Sequence, residues 1–475
     1  MGCVPFKAVI HLISIVSGPV ARQNLSQFRP NGFEVFKIEN RVARKVGIMT
    51  LGCKVNQYES TAIAEEFEKH GFTVGKFSEK CGIYIINSCT VTAESDRKTR
   101  QMIRRAARHN PEAYVLVTGC YAQCNAAKAA GVDGVDFVCG NSNKTKLIDA
   151  AMGLVASGEK NTAALIKVPD VAKADFEPMT IHSSERTRAY VKIEDGCDNH
   201  CAYCIVPTAR GRVRSKRPED VVSEVRGLAE NGYREVVLIG IETASYGKDF
   251  AERYRLGDLL REVDAIEGIE RIRLGSMDPS VFTPEFVGIL AELRHFAPNF
   301  HISMQSGCNS VLKAMRRKYN TKMAEDAVKR LREAIPDVTF TADFIVGFPG
   351  ESEEDFLETA DFVSRIGFTH LHIFPYSKRP GTEAAEMGGQ VPDDVKSERL
   401  ARLDAVWRGR VLEMAKSYIG VQKDVLFEVC EDGKAIGHTP EFLEVAVITD
   451  EDLHGQVKTV KLNGFDGNVY TGFIV

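Results

Sequence analysis

The sequence predicts an α/β protein in three parts: an N-terminal parallel βαβ domain, a partial (βα)6 barrel and a small C-terminal all-β barrel. Apolar runs alternate with helical periodicity in two separate series, which is typical of parallel sheets. Near the C-terminus, short apolar runs separated by glycines replace this pattern and indicate a small β-barrel. The predicted parts are an N-terminal extension (1–43), the first domain (44–155), a linker (156–182), the barrel (183–414) and the C-terminal domain (417–475).

The composition is that of an ordinary globular protein. Of the 475 residues, 44% are hydrophobic and 27% are charged, which excludes a disordered chain, a collagen and a membrane bundle. The net charge is −4, so any contact with nucleic acid must depend on local basic patches. The apolar run 8–16 is too short to span a bilayer and only loosely resembles a secretory signal. We therefore expect a cytoplasmic protein that does not contact membranes.

In the first domain, a cysteine follows each of three predicted strands. These cysteines are Cys53, Cys89 and Cys120. The carboxyl ends of parallel strands lie along one edge of a sheet, where ligands bind, so we expect the three thiols to meet there. The alternative is three unrelated buried cysteines, since free cysteine is commonly buried. The predicted strands are 46–51, 82–87 and 113–118, and the predicted helices are 60–70 and 95–109.

Six further apolar runs with helices between them predict the partial barrel, a smaller relative of the eight-fold barrel. In such barrels the active site lies at the carboxyl ends of the strands. The predicted strands are 189–193, 235–241, 271–277, 300–304, 339–346 and 369–374, and the helices include 218–231, 284–296, 321–334 and 352–366. In the C-terminal domain the predicted strands are 424–429, 442–448, 457–462 and 469–475.

The strongest chemical signal is three cysteines within eight residues: Cys197, Cys201 and Cys204. A structural zinc site takes four ligands, and His200 is available as the fourth. Three thiolates on one loop after a strand suit a four-iron cluster better. Three ligands leave one iron with an open position, and an open position on a metal is where chemistry takes place.

This loop, with Tyr203 before its last cysteine, resembles the radical S-adenosylmethionine enzymes, whose fold is a partial (βα)6 barrel. Five further segments resemble the methylthiotransferases, and most of all those that act on threonylcarbamoyladenosine in tRNA. The C-terminal segment, with GHT at 437–439, is similar to their RNA-binding TRAM domain. The five segments are TLGCKVNQYE (50–59), NSCTVT (87–92), SDRK (95–98), TGCYAQ (118–123) and GFPGE (347–351).

The resemblance implies S-adenosylmethionine and two [4Fe-4S] clusters as cofactors. One cluster binds S-adenosylmethionine through its open iron, and an auxiliary cluster carries the sulfur to be inserted. The resemblance and the ends of the predicted strands also indicate residues around S-adenosylmethionine, although simple turns are the alternative at the glycines. The implied ligands are Cys197, Cys201 and Cys204 for the first cluster and Cys53, Cys89 and Cys120 for the second; the implied cofactor contacts are Tyr203, Gly240, Glu242, Gln305, Ser306 and Gly347.

The implied reaction converts N6-threonylcarbamoyladenosine, 3′ of the tRNA anticodon, to its 2-methylthio derivative by radical chemistry. An electron donor such as flavodoxin or ferredoxin is implied, and we expect a monomer. Two alternative substrates are isopentenyladenosine in tRNA and a ribosomal-protein aspartate, and the run 51–57 argues against both. A non-catalytic iron–sulfur RNA-binding protein is a third alternative, and it would not need S-adenosylmethionine.

Three basic clusters predict contacts with tRNA phosphates, because two of them flank the cysteine motifs. Each cluster alone is more typical of a solvated surface. The first shares one face of a predicted helix, and the second follows the cysteine loop with a period of two residues. Their members are Arg97, Arg100, Arg104 and Arg108 on the helix; Arg210, Arg212, Arg214, Lys216 and Arg217 after the loop; and Arg316, Arg317 and Lys318 in the third cluster.

Overall fold

A computed structural model of the protein describes residues 44–160, 163–184 and 186–475. The predicted N-terminal extension, 1–43, lies outside the described residues. The rest of the chain forms one compact unit, so the boundaries expected between its parts stay predictions. None of the helices in the described ranges is both long and apolar enough to cross a bilayer.

The first part is a six-stranded sheet whose neighbouring strands are all parallel, as predicted, in the order β2-β1-β3-β4-β5-β6. The three predicted strands are present, each shifted by one residue. The strands are β1 (Lys45–Thr50), β2 (Thr73–Gly75), β3 (Ile83–Ser88), β4 (Tyr114–Gly119), β5 (Val135–Cys139) and β6 (Leu165–Lys167). The helices are α1 (Lys54–Lys69), α2 (Ala93–His109), α3 (Cys120–Cys124), α4 (Ala126–Ala130) and α5 (Lys146–Ser157).

Local sequence explains where α2 begins. The Oγ1 of Thr92 accepts a hydrogen bond from the backbone N–H of Ser95, which caps the first turn. Helix α1 is different, because it begins at Lys54, six residues before the predicted start. The polar residues Asn56 and Glu59 interrupt the apolar periodicity of its first turns, yet both are buried against the barrel. Apolar periodicity therefore could not predict the first turns of α1.

The second part has the six predicted parallel strands of the partial barrel. Strands β7, β10 and β11 pair with one another, and so do β12, β13 and β14. The two groups meet where the N–H of Met277 donates to the oxygen of His301 at 2.8 Å. The strands are β7 (Arg188–Lys192), β8 (Glu194–Asp195), β9 (Arg214–Ser215), β10 (Glu235–Ile239), β11 (Arg271–Leu274), β12 (Asn299–Gln305), β13 (Thr339–Val346) and β14 (His370–Pro375).

Helices cover the outside of this barrel. Helix α11 has the predicted bounds, and α7 and α12 differ from the predicted bounds by one residue. The helices are α6 (Val206–Arg210), α7 (Pro218–Glu230), α8 (Leu256–Asp264), α9 (Pro284–Glu292), α10 (Asn309–Ala314), α11 (Thr321–Ala334), α12 (Glu353–Ile366), α13 (Glu383–Glu386) and α14 (Asp393–Ala415).

The third part is a closed barrel with the order β15-β16-β17-β19-β18. It docks at the amino ends of the larger barrel's strands. There the guanidinium of Arg273 donates to the backbone oxygens of Thr439 (2.9 Å) and Pro440 (2.7 Å). Strand β16 was not predicted from the sequence, because its run KAIGH has no clear alternation. The strands are β15 (Gln422–Glu431), β16 (Lys434–His438), β17 (Glu444–Ile448), β18 (Val457–Phe465) and β19 (Tyr470–Ile474).

A buried group of charges, here called the interface ion cluster, joins the first sheet to the larger barrel. The Glu59 carboxylate lies at its centre, 2.7 Å from both Arg210 and Lys192 and 3.1 Å from Lys144. Asp195 completes it, 2.7 Å from Lys192 and 3.1 Å from Arg210. Burial acts to raise the pKa of Glu59, but the three cations hold it well below its usual range. The cluster consists of Glu59, Lys144, Lys192, Asp195 and Arg210.

The prediction that the second basic cluster faces tRNA is therefore wrong for most of its residues. Arg210 belongs to α6 rather than to an extended segment, and its side chain is 0% exposed. Arg214 is buried beside it and donates to the backbone oxygen of Arg210. Lys216 is buried against Glu224, with 2.5 Å between nitrogen and oxygen. Only Arg212 and Arg217 of this cluster are exposed, because the other three cations are buried against Glu59, Asp195 and Glu224.

Replacing Arg210 tests the interface ion cluster. We expect Arg210→Met to lower the free energy of unfolding by about 3 kcal/mol, because Asp195 and Glu59 lose a buried partner. The exposed Arg212 is the matched control, and Arg212→Met is expected to stay within about 0.5 kcal/mol of the wild type. Urea denaturation followed by circular dichroism measures both. Equal stability of the two variants would contradict the role of the cluster.

Candidate functional site

The structure brings Cys53, Cys89 and Cys120 together at the carboxyl edge of the first sheet. They follow β1, β3 and β4, which are neighbours in the sheet. The chain before Cys53 turns sharply at Gly52, where φ is +104°. A Cβ atom at residue 52 would lie 3.0 Å from the Sγ of Cys89, so only glycine permits this approach.

Polar groups from both halves of the protein surround this first trio. The side-chain amide of Asn141 donates to the Sγ of Cys120 (3.4 Å) and to the backbone oxygen of Ala209 in α6 (2.8 Å). Burial raises the pKa of the Cys89 thiol to about 11, and the neighbouring thiols of Cys120 and Cys53 add to this effect. Without a metal the Cys89 thiol therefore holds its proton, and metal binding must displace it.

The second trio lies on the loop between β8 and α6. The backbone N–H of Cys197 donates to the oxygen of Gly211 (3.0 Å), and that of Cys204 to the oxygen of Cys201 (3.0 Å). Burial raises the pKa of Cys197 to about 12 and that of Cys204 to about 11. The guanidinium of Arg317 donates to the Sγ of Cys201 at 3.1 Å. The positive guanidinium therefore lies directly beside one of the predicted cluster ligands.

Both trios fit an iron–sulfur cluster better than a single metal ion. Within the described ranges, only His301, Asp343 and His372 place three possible ligand atoms within 4.8 Å of one another. The cysteine trios are wider, so a mononuclear zinc site with bonds of about 2.3 Å does not match them. His200, the possible fourth zinc ligand, is exposed. Three converging free thiols are the donor set that a four-iron cube requires.

Three of the predicted S-adenosylmethionine contacts lie beside the second trio. The carboxylate of Glu242 accepts a hydrogen bond from the side chain of Asn199 (3.0 Å), and its own N–H donates to Glu194 (2.8 Å). A Cβ atom at Gly240 would lie 2.6 Å from the Oε2 of Glu194. Tyr203 lies near Cys201 and Cys204 of the same loop and near Arg317, and burial raises its pKa well above the usual value. Their contact with the cofactor stays a prediction.

The other three predicted contacts lie at the ends of later strands. Gln305 ends β12 with a φ of +64°. Ser306 is 1% exposed, and its hydroxyl lies 3.2 Å from that of Thr359. The N–H of Gly347 donates to the Oε1 of Glu351 at 3.0 Å. These bonds give Ser306 and Gly347 structural roles, and their contact with S-adenosylmethionine stays a prediction.

Sequence reasoning missed two residues of the second site. Glu194 is fully buried, and burial raises its pKa well above the usual value. Arg317 was predicted to face RNA, but this is wrong, because its guanidinium also pairs with Asp278 at 3.0 Å inside the barrel. Its neighbours Arg316 and Lys318 are exposed as predicted. The only available signal was the position of Arg317 in the segment between the barrel strand β12 and helix α11.

A cavity of about 740 Å³ runs through the interior of the larger barrel. Its wall includes Cys53 of the first trio and Gly240 next to the second trio. It also includes His372 from β14, Trp407 from α14 and Phe442 from the C-terminal barrel. This volume is within the usual range for a small-molecule site. All three parts of the protein therefore contribute to one cavity.

Two family models match the chain. Residues 191–363 match the radical SAM superfamily, and residues 45–140 match the uncharacterized protein family UPF0004. In fold, the chain resembles the radical S-adenosylmethionine methyltransferase TsrM from Kitasatospora setae. The TM-score is 0.55 with 16% identity, covering 83% of this chain and 80% of that one.

Curated relatives match most of the chain. A threonylcarbamoyladenosine tRNA methylthiotransferase, MtaB, from Bacillus subtilis is 40% identical, covering 88% of this chain and 93% of the relative. A tRNA-2-methylthio-N(6)-dimethylallyladenosine synthase from Carboxydothermus hydrogenoformans is 34% identical, covering 87% and 96%. Such identity over nearly the whole length of both relatives shows common ancestry. The chain belongs to the family of radical S-adenosylmethionine methylthiotransferases.

Proposed function

We propose that the protein is a tRNA methylthiotransferase that converts N6-threonylcarbamoyladenosine, 3′ of the anticodon, to its 2-methylthio derivative. The observation that carries this proposal is the cavity whose wall includes both Cys53 and Gly240. A base held there would lie between the two cysteine trios. This arrangement suits a reaction that activates a carbon near one metal group and delivers sulfur from another.

In this proposal each trio holds one [4Fe-4S] cluster. The first cluster is the one held by the second trio, Cys197, Cys201 and Cys204. S-adenosylmethionine binds at that first cluster. Together the bound groups supply radical chemistry for an aromatic C–H bond and the methylthio group. The chain itself positions the groups and limits water around them. Arg317 beside the second trio provides positive charge to offset the negative charge of a thiolate-bound cluster.

The sequence identity to relatives with different substrates supports the choice of substrate within the family. Four relatives named threonylcarbamoyladenosine tRNA methylthiotransferase are 36% to 40% identical to the chain. Relatives named for dimethylallyladenosine are 33% to 36% identical, so an isopentenyl-type adenosine is the second candidate. The aspartate of a ribosomal protein remains the alternative of another substrate class.

A basic face of α2 supports a tRNA partner. Arg104 and Arg108 are exposed and have no ion-pair partner among the residues that the structure describes. The helix begins just after Cys89, and the N–H of Ala93 donates to Ser377 in the larger barrel. Phosphates along this face would lead towards the first trio. The C-terminal barrel, which resembles a TRAM domain, is proposed as a second RNA-binding element.

Other features of the proposal follow the family resemblance. A flavodoxin or ferredoxin is proposed as the electron donor, because S-adenosylmethionine cleavage needs one electron from outside. We propose a cytoplasmic monomer, with 1–43 as an extension and 156–182 as a linker between the first domain and the radical S-adenosylmethionine core.

Iron content tests the two-cluster assignment. Anaerobically reconstituted protein is expected to bind about eight irons, and Cys201→Ala or Cys89→Ala to leave about four. Cys201→Ala should abolish reductive cleavage of S-adenosylmethionine, whereas Cys89→Ala should retain it. The buried Cys81 of the first domain belongs to neither trio, so Cys81→Ala is expected to keep all the iron. Full iron content in Cys89→Ala would refute the auxiliary site.

Mass spectrometry of tRNA nucleosides tests the substrate. A strain lacking the gene is expected to lose 2-methylthio-threonylcarbamoyladenosine and to accumulate its unmethylthiolated precursor. The purified enzyme should restore the product on that tRNA. Modification of isopentenyladenosine or of a ribosomal protein instead would leave the family unchanged and overturn the proposed substrate.

Salt dependence tests the basic face of α2. Binding of tRNA is expected to weaken steeply with added salt, because lysine and arginine contacts release counterions from phosphates. The double variant Arg104→Gln, Arg108→Gln should reduce the slope of log K against log salt by up to about two units. The control pair Arg226→Gln, Arg261→Gln lies on the outer helices α7 and α8 and should leave the slope unchanged. Equal slopes for the two double variants would contradict this surface.

A further inference from the structure

Lys54 is a cation without a partner in the cavity. It follows Cys53 directly and lines the cavity wall. Among the described residues, no carboxylate lies within ion-pair distance of its ammonium group, and the group makes no hydrogen bond. The side chain is exposed to the cavity, where the guanidinium groups of Arg188 and Arg273 repel its charge. The Asp343 carboxylate acts on its charge but lies beyond ion-pair distance.

Several other charged groups of the cavity already have partners, although the Glu444 carboxylate in its wall has none among the described residues. Arg273 pairs with Glu235 at 2.6 Å, and Arg188 pairs with Glu428 at 3.0 Å. The Nε2 of His301 lies 3.1 Å from Asp343, and its Nδ1 lies 2.8 Å from the hydroxyl of Thr341. The Asp343 carboxylate is thus already engaged by His301. Unlike these cations, Lys54 has no ion-pair partner among the described residues.

His372 is a second unsatisfied group in the same wall. It lies on β14, is exposed to the cavity and has no hydrogen-bond partner in the described part of the chain. Its ring stands near His370, with 4.6 Å between the ring centres. Lys54 is close enough to His372 to influence its charge. A neutral imidazole offers one N–H donor, which complements the ammonium of Lys54 in binding a carboxylate or a neighbouring hydroxyl.

We propose that Lys54 and His372 form a carboxylate-binding subsite that receives the threonyl carboxylate of the modified adenosine. This inference rests on the proposed function and names the residues that select its substrate. Threonylcarbamoyladenosine carries a carboxylate and a hydroxyl on its side chain, whereas isopentenyladenosine carries only a hydrocarbon. An ammonium without a counterion disfavours the hydrocarbon, because its charge would be left buried and unpaired.

The position of Lys54 agrees with this assignment. The residue is adjacent to Cys53, the ligand proposed for the auxiliary cluster, so a carboxylate held there keeps the adenine near that trio. The wall around Lys54 and His372 also includes Thr369 and His370, which add polar groups to the subsite. A charge-assisted hydrogen bond in such an enclosed place is stronger than one at the surface.

Two anticodon stem-loop RNAs test the subsite. One carries threonylcarbamoyladenosine, and the other carries its methyl ester, which removes the negative charge and leaves every phosphate in place. Reconstituted holoenzyme with S-adenosylmethionine should bind the acid about tenfold to a hundredfold more tightly than the ester, measured by fluorescence anisotropy. Lys54→Gln should bind the two RNAs equally. Lys54→Arg, which keeps the charge, should retain the preference for the acid.

Lys69 provides the matched control. It is at the other end of α1, its side chain is 54% exposed, and Lys69→Gln is expected to bind both RNAs like the wild type. An unchanged acid-to-ester ratio in Lys54→Gln, or equal binding of both RNAs by the wild type, would overturn the subsite. If the wild-type enzyme methylthiolates threonylcarbamoyladenosine but binds the acid and the ester RNAs equally, the subsite is overturned and the proposed function stands. Failure to methylthiolate that base at all overturns the proposed function with it.

Discussion

The burial of opposite charges between the first sheet and the larger barrel is the constraint on which the site depends. Glu59 comes from α1 and meets Lys192 and Arg210, which belong to the barrel. A buried charge without a partner costs several kcal/mol, so one relative placement of the two parts satisfies every member of the cluster. Arg210 follows the loop of the second trio, and Glu59 follows Cys53. The same cluster therefore determines how the two trios are placed relative to each other.

Two asparagines extend this constraint to the cysteines. Asn56 accepts a 2.5 Å bond from Arg210 and donates to the backbone oxygens of Leu51 and Ser88, which precede Cys53 and Cys89. Asn141 connects Cys120 to α6. Each turn that carries a cysteine of the first trio is thus tied to the barrel. This rigidity suits a site in which two metal groups must act on one substrate.

The C-terminal barrel forms part of the cavity wall. It docks on the amino ends of the barrel strands, where Arg273 and Arg271 donate to its backbone oxygens. Phe442 closes the cavity at this end, with the guanidinium groups of Arg188 and Arg273 stacked near its ring. At this end Arg273 pairs with Glu235 and Arg188 pairs with Glu428, whereas Lys54 and His372 have no such partner among the described residues.

The sequence alone determined the parallel sheets, the six barrel strands and the two cysteine trios. These features depend on local periodicity and on where each strand ends, which neighbouring residues specify. It did not determine the start of α1, the buried side of Arg210, the inward turn of Arg317 or the shape of the cavity. Arg210 and its partner Glu59 are 151 positions apart in sequence. From sequence alone, an arginine beside a cysteine loop is predicted to be an exposed cation. Only the packed fold decides which charges meet, because the buried carboxylate that pairs with this arginine comes from a distant part of the chain.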